Sequence, residues 1–128
     1  VTTETQDLIQ LRLSQADESL AAARLLVERG LRRGAMDRVY FTMFYCACAL
    51  LATKEFGPSR DGNVAAKFHR EFVKTGLIPV EIGERFNHAT QLQQDTDLGA
   101  PPDRERLSEL LADAESFLTT TKLFLGKT

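Results

Sequence analysis

The stretch Asp37–Leu51, DRVYFTMFYCACALL, decides the fold. It is apolar almost all the way round, yet it carries one Arg and two Tyr. A helix that is apolar on every side is buried in a core or shared between two partners. At helical spacing its residues fall on three faces. Met36, Tyr40, Met43, Ala47, Leu50 and Lys54 form one stripe, and Phe41, Tyr45, Cys48 and Ala52 a second. The third, Thr42, Cys46, Ala49 and Thr53, is made of small residues, which let another helix approach closely. A helix from about Ala35 to Phe56, ended by Gly57 and Pro58, is therefore expected at the centre of a bundle, with one face open to a dimer interface.

The flanking sequence supplies the rest of that bundle. Upstream, Leu8, Leu11, Ala16, Leu20, Ala23 and Val27 recur at helical spacing and predict a helix from about Thr5 to Arg29, with Gly30 as its stop. Downstream, GPSRDGN is a turn-rich loop. A short helix follows from about Val64 to Thr75, with Asn63 in the N-cap position and Gly76 ending it. Pro79 suits the first turn of a fourth helix reaching about Asp95, with Ile82, Phe86, Ala89 and Leu92 or Gln93 facing inward. DTDLGAPP reads as the longest loop. Asp103 caps a last helix to about Leu125, whose broad stripe is Leu107, Leu110, Leu111, Ala114, Phe117, Leu118, Thr121 and Phe124. With no strand signal, the fold expected is all-α: one domain over residues 1–128, an antiparallel up-and-down four-helix bundle with an extra short helix.

Composition narrows the function. The 128 residues suffice for one hydrophobic core. A net charge of −2 and a pI near 5.7 exclude a broad basic footprint, so any RNA contact must come from a local patch. Cys46 and Cys48 are the only cysteines. On a helix they point about 200° apart and cannot pair, as suits two buried thiols in a reducing cytosol. The N-terminal VTTETQDLIQ carries neither the charged nor the apolar region of a secretory signal. No apolar run approaches the roughly 18 residues of a membrane span. A cytoplasmic protein without membrane contact is expected.

Several blocks carry a family resemblance. QADESLAAARLLVERG (15–30) looks like the opening-helix pattern of the HEPN domains, small all-helical proteins common in prokaryotes. DRVYFTMFYCACALL resembles their second-helix pattern, roughly S-R-x-Y-Y-A-x-F with an apolar tail. REFVKTGLIPVEIGERFNHATQLQQDTD (70–97) resembles the third and fourth helices, and LLADAESFLTTTK (110–122) the closing one. The resemblance implies a helical bundle, usually a homodimer, often the partner of a minimal nucleotidyltransferase in a toxin–antitoxin pair. Many members are metal-independent RNases using R-x(4–6)-H on the fourth helix; others bind nucleotide or act as adaptors. This chain departs from that pattern. Arg85 and His88 have only two residues between them. Gln93 stands where the family has an Arg, Leu98 stands where it has a Tyr, and Asp97 is kept. The loop SRDGN (59–63) has Arg60 and no His.

These residues define two alternatives. Metal-free RNA cleavage needs a base near the 2′-hydroxyl and a cation for the phosphorane charge. Arg85 and His88, at i and i+3, could supply them if a two-fold axis joined two such faces; otherwise they are a solvated face. Arg38 could hold a phosphate and Tyr40 stack a base. The structural reading makes Tyr40 a core aromatic and Arg38 the ionic partner of Asp37, Asp95 or Asp97, with Asp97 pinning the loop beyond the fourth helix. Arg29, Arg32, Arg33 and Arg38 crowd the first inter-helix turn, as phosphate ligands or as a solvated turn. His69 has no acid at metal spacing, and E-x-x-H, C-x-x-C, a nucleophile triad and a phosphate loop are all missing. No cofactor and no metal are expected. The function expected is a dimeric binding module for nucleotide, RNA or a partner protein, of toxin–antitoxin type; the alternative is a toxin RNase with a displaced Arg85–His88 site.

Overall fold

The computed structural model describes residues 2–55 and 63–126. The elements are α1 (Thr3–Glu28), α2 (Arg32–Ala52), α3 (Val64–Phe68) running into a π-helical turn (His69–Val73), α4 (Val80–Leu98) and α5 (Arg104–Phe124). No strand occurs among the described residues. The expected stop at Gly57–Pro58 and the SRDGN loop up to residue 62 lie outside the described residues.

Three boundaries have a clear local cause. Thr2 accepts from the Thr5 amide at 3.0 Å and starts α1. At its other end the Leu31 amide donates to Leu26 O and the Gly30 amide to Val27 O. This is a Schellman closure, and it needs the left-handed φ of 72° that Gly30 adopts. Asp103 accepts from the Arg106 amide at 2.8 Å and starts α5 as expected. Asn63 takes the N-cap position of α3 without a side-chain capping bond.

The four long helices run up, down, up, down. Arg24 pairs with Glu115, and seven residues earlier in α1 Asp17 meets Lys122, seven residues later in α5. The two helices therefore run antiparallel. α2 touches every other helix and is the centre of the bundle. Its most extensive neighbour is α1, where Ala16 and Ala23 on one helix and Ala35, Thr42, Cys46 and Ala49 on the other are fully buried. The small-residue face of α2 is thus spent inside the bundle. Phe68, Phe72, Phe86 and Phe117 fill the end beneath α3, with Phe68 5.3 Å from Phe117 and 5.7 Å from Phe86 between ring centroids.

Two expectations change. α4 continues three residues past Asp95, and the loop to α5 shrinks accordingly. Gln91 and Gln93 each donate one turn ahead, to Asp95 and Asp97, and guanidinium groups from α2 hold the carbonyls at the α4 end. The short helix widens into a π-turn at His69, where the Lys74 amide reaches His69 O at 2.8 Å. The imidazole sits between Ala65 O, 2.7 Å from Nδ1, and Gly83 O, 3.2 Å from Nε2. It ties the turn to α4.

One helix, Arg32–Ala52, does reach the length and mean hydropathy of a membrane span, which corrects the count of apolar runs above. Within the bundle 67% of that window is buried, as befits a core helix.

Candidate functional site

One strip of α2, between α1 and α4, is only partly covered. Tyr40, Phe41, Phe44 and Tyr45 are all partly exposed there. The spacing i, i+1, i+4, i+5 puts them on one face. Their rings touch in sequence: Tyr40–Phe41 at 5.1 Å, Phe41–Tyr45 at 5.9 Å and Phe44–Tyr45 at 5.8 Å between centroids. Each flank of this aromatic strip carries a different set of polar groups.

On the α1 flank lies Arg38. Its guanidinium carbon sits 4.8 Å from the Phe41 ring centroid, and Nη1 donates to Ser19 Oγ at 3.4 Å. No carboxylate pairs with Arg38 among the described residues, which overturns its expected pairing with Asp37, Asp95 or Asp97. The reason is angular: one residue step turns about 100°, so Arg38 leans to α1 while Asp37 leans to α4. The guanidinium opens onto a cavity of about 250 Å³ lined by Gln15, Glu18, Ser19, Ala22, Arg38 and Tyr45. Ser19 is 3% exposed, so its hydroxyl is a fixed feature of the cavity floor. Arg12 donates to Gln15 Oε1 at 2.8 Å, which leaves the Gln15 amide nitrogen as the free donor.

The α4 flank is acidic. Gln93 Nε2 donates to Asp37 Oδ1 and to Asp97 Oδ2, both at 3.4 Å. Asp97 thus meets Gln93 and not Arg38. Tyr40 turns to the same side, its ring stacked 6.4 Å from Phe86, and burial raises its phenol pKa above the ordinary value. Arg38, Tyr40 and Asp97 are therefore not brought together. The residue that does join Arg38 is Tyr45. Its signal was the seven-residue step, two helical turns on the same face.

Arg85 and His88 are both exposed on α4. Arg85 Nε lies 3.6 Å from Asp113 Oδ1 on α5, so its charge is directed toward the α5 side. The arginines of the first turn have other work. Arg33 Nη1 donates to Thr96 O, and Arg32 Nη1 to Pro102 O at 3.2 Å and more weakly to Pro101 O at 3.4 Å. Although exposed, they also bind the C-terminal end of α4 and its loop, and positive charge is favoured at that end of a helix. Cys46 and Cys48 are free and buried; burial pushes their thiols up to about 12 and about 11. Among the described residues no three His, Cys, Asp or Glu side chains converge as a metal site would require.

Comparison with known proteins agrees with this architecture. The HEPN domain profile matches residues 9–124. A Methanocaldococcus jannaschii protein named as a putative toxin is 36% identical over 115 residues, covering 88% of this chain and 78% of its own. A second protein of that organism, also named as a putative toxin, is 31% identical over 93% of this chain and 90% of its own. A UPF0332 protein of Thermotoga maritima is 32% identical over 90% of this chain and 89% of its own. With the profile spanning nearly all of a five-helix chain built round α2, the protein belongs to the HEPN domain family.

Proposed function

We propose that this HEPN-domain protein is a dimeric binding module of the toxin–antitoxin kind, which engages a nucleotide, an RNA or a partner protein without cutting RNA. The observation that carries this reading is the partly exposed aromatic strip of α2, with a cationic groove on one flank and an acidic pair on the other. Contiguous, partly exposed aromatics suit an interaction surface, and four rings on a central helix form an anchor for a second copy. The names of the Methanocaldococcus relatives favour the toxin-type setting. A minimal nucleotidyltransferase is the partner protein that the family setting favours. Two unpaired buried thiols suit the cytoplasm.

The departures on α4 argue against catalysis. Arg85 is drawn to Asp113, and His88 has no cation held beside it at the R-x(4–6)-H spacing. The second reading, a metal-independent RNase, draws on the exposure of Arg85 and His88 one turn apart. RNA cleavage by the purified protein without metal, run beside His88→Ala, separates the two. No cleavage, or equal cleavage by both proteins, supports the binding module. Cleavage that vanishes in the variant makes the protein an RNase with a relocated site.

A further inference from the structure

We propose that the groove between α1 and α2 is a ribonucleotide site: Arg38 takes the phosphate, Tyr45 stacks the base and Glu18 accepts from the ribose hydroxyls. This rests on the nucleotide-binding reading above and gives it a place and a sugar preference.

The groove is rich in donors. Arg38 offers a guanidinium that no carboxylate neutralises among the described residues, and its orientation is fixed by the Phe41 ring beneath it and by Ser19. A planar guanidinium with an open edge suits a phosphate, which it can grip with two parallel bonds. The Gln15 amide nitrogen is left as a donor by the bond from Arg12 to its oxygen. Ser19 and Tyr45 add two hydroxyls. About 250 Å³ accommodates a phosphate and its sugar, leaving the base against the Tyr45 ring that lines the groove, where stacking tolerates any base.

Glu18 decides the sugar. A lone carboxylate on the exposed side of an otherwise donor-lined groove disfavours a phosphate beside it, but it accepts from vicinal hydroxyls, the use that dinucleotide-binding folds make of an acidic residue. A deoxyribose leaves part of that acceptor capacity unfilled. The site therefore prefers ribonucleotides, and the 2′-hydroxyl is the feature read.

The test is titration of the ¹⁵N-labelled protein with the four ribonucleoside 5′-monophosphates, their deoxy counterparts and inorganic phosphate. Shifts confined to the amides of residues 15–22 and 38–45 are expected, with affinities ordered ribonucleotide, deoxynucleotide, phosphate. Arg38→Ala weakens ribonucleotide binding about tenfold or more, Arg38→Lys weakens it less, and Glu18→Gln narrows the gap between the sugars. Because Arg38→Ala also uncovers Phe41, the Lys and Gln variants carry the test if it unfolds. Ribonucleotide binding that ignores Arg38, or shifts elsewhere, overturns this site and leaves the binding-module reading standing. Phosphate binding as tightly as the nucleotides overturns the ribonucleotide assignment. If no mononucleotide binds, the site is overturned too; a binding module for RNA or protein then falls only if the protein also cleaves RNA in a His88-dependent way.

Discussion

A methyl group at position 83 would have nowhere to go. Built on Gly83, a Cβ lies 2.9 Å from Val73 Cγ2 and 3.2 Å from His69 Nε2, closer than packed atoms allow. In an open helix Gly→Ala stabilises by about 1 kcal/mol. Here the overpacking cost of about 1–3 kcal/mol exceeds that gain, and the His69 contact with Gly83 O is strained as well. Gly83→Ala is expected to lower the urea midpoint, and a rise would show that α4 can slide off the π-turn freely. The thiols give a second residue-scale prediction, with a definite sign. Their ordinary pKa is 9.0, and burial holds Cys46 to about 12 and Cys48 to about 11 in the fold. Below pH 9 both states keep the proton, so the thiols add no pH dependence. Above it the unfolded chain releases protons that the folded chain retains, and stability falls until pH passes the folded values. Denaturation between pH 8 and pH 10.5 should show a decline that is shallower in Cys46→Ala/Cys48→Ala; parallel curves would refute it.

At the scale of the elements, the end of α4 depends on another helix. Arg33 reaches from the start of α2 to Thr96 O, a carbonyl in the last turn of α4. A hydrogen bond from a charged donor contributes about 1.5–3 kcal/mol. Arg33→Ala should cost that order in stability and raise amide exchange across residues 95–99 ahead of the rest of α4. Uniform exchange along the helix would mean that Arg33 does not set its end. This dependence explains why the helix stop was read too early from the sequence. DTDLGAPP is full of loop-forming residues, and local propensity ends the helix at Asp95. The deciding bonds come from residues about sixty positions away. Boundaries made by local chemistry, the stop at Gly30 and the start at Asp103, were legible because the Schellman closure and the N-cap lie within a few residues. The centrality of α2 was legible from its all-round apolar pattern. The groove was only half legible: the i, i+7 step joins Arg38 to Tyr45, but which side of Arg38 meets α1 depends on helix packing. The π-turn left no trace in the pattern, since it arises from the contacts of His69 with two backbone carbonyls.

At the scale of the whole molecule, the aromatic strip of α2 is a surface that the described residues leave partly open. The exposed ion pairs across α1 and α5 contribute little, since both sides of Arg24–Glu115 are more than half exposed. The strip Tyr40, Phe41, Phe44, Tyr45 is different, being aromatic, continuous and carried on the most rigidly packed helix. In the dimer proposed above, a two-fold axis beside Tyr40 and Phe44 would set that side of the strip against its own copy, the self-complementary arrangement of closed dimers, and leave Tyr45 at the groove edge uncovered. A stable pair buries about 800 Å² on each side, so such a contact would extend beyond the rings onto the α4 flank with Asp37 and Gln93. The groove beside Arg38, on the opposite flank, then stays open to ligand. Phe44 lies on the strip and away from the groove lining, so Phe44→Glu should give a folded monomer by sedimentation at tens of micromolar, where the unmodified protein sediments as a dimer, with ribonucleotide shifts at residues 15–22 retained. An unmodified protein that is monomeric at that concentration would remove the dimer and, with it, any composite site built from two copies of Arg85 and His88. A dimer that Phe44→Glu leaves intact would move the interface off this strip and return the aromatic face to a different protein.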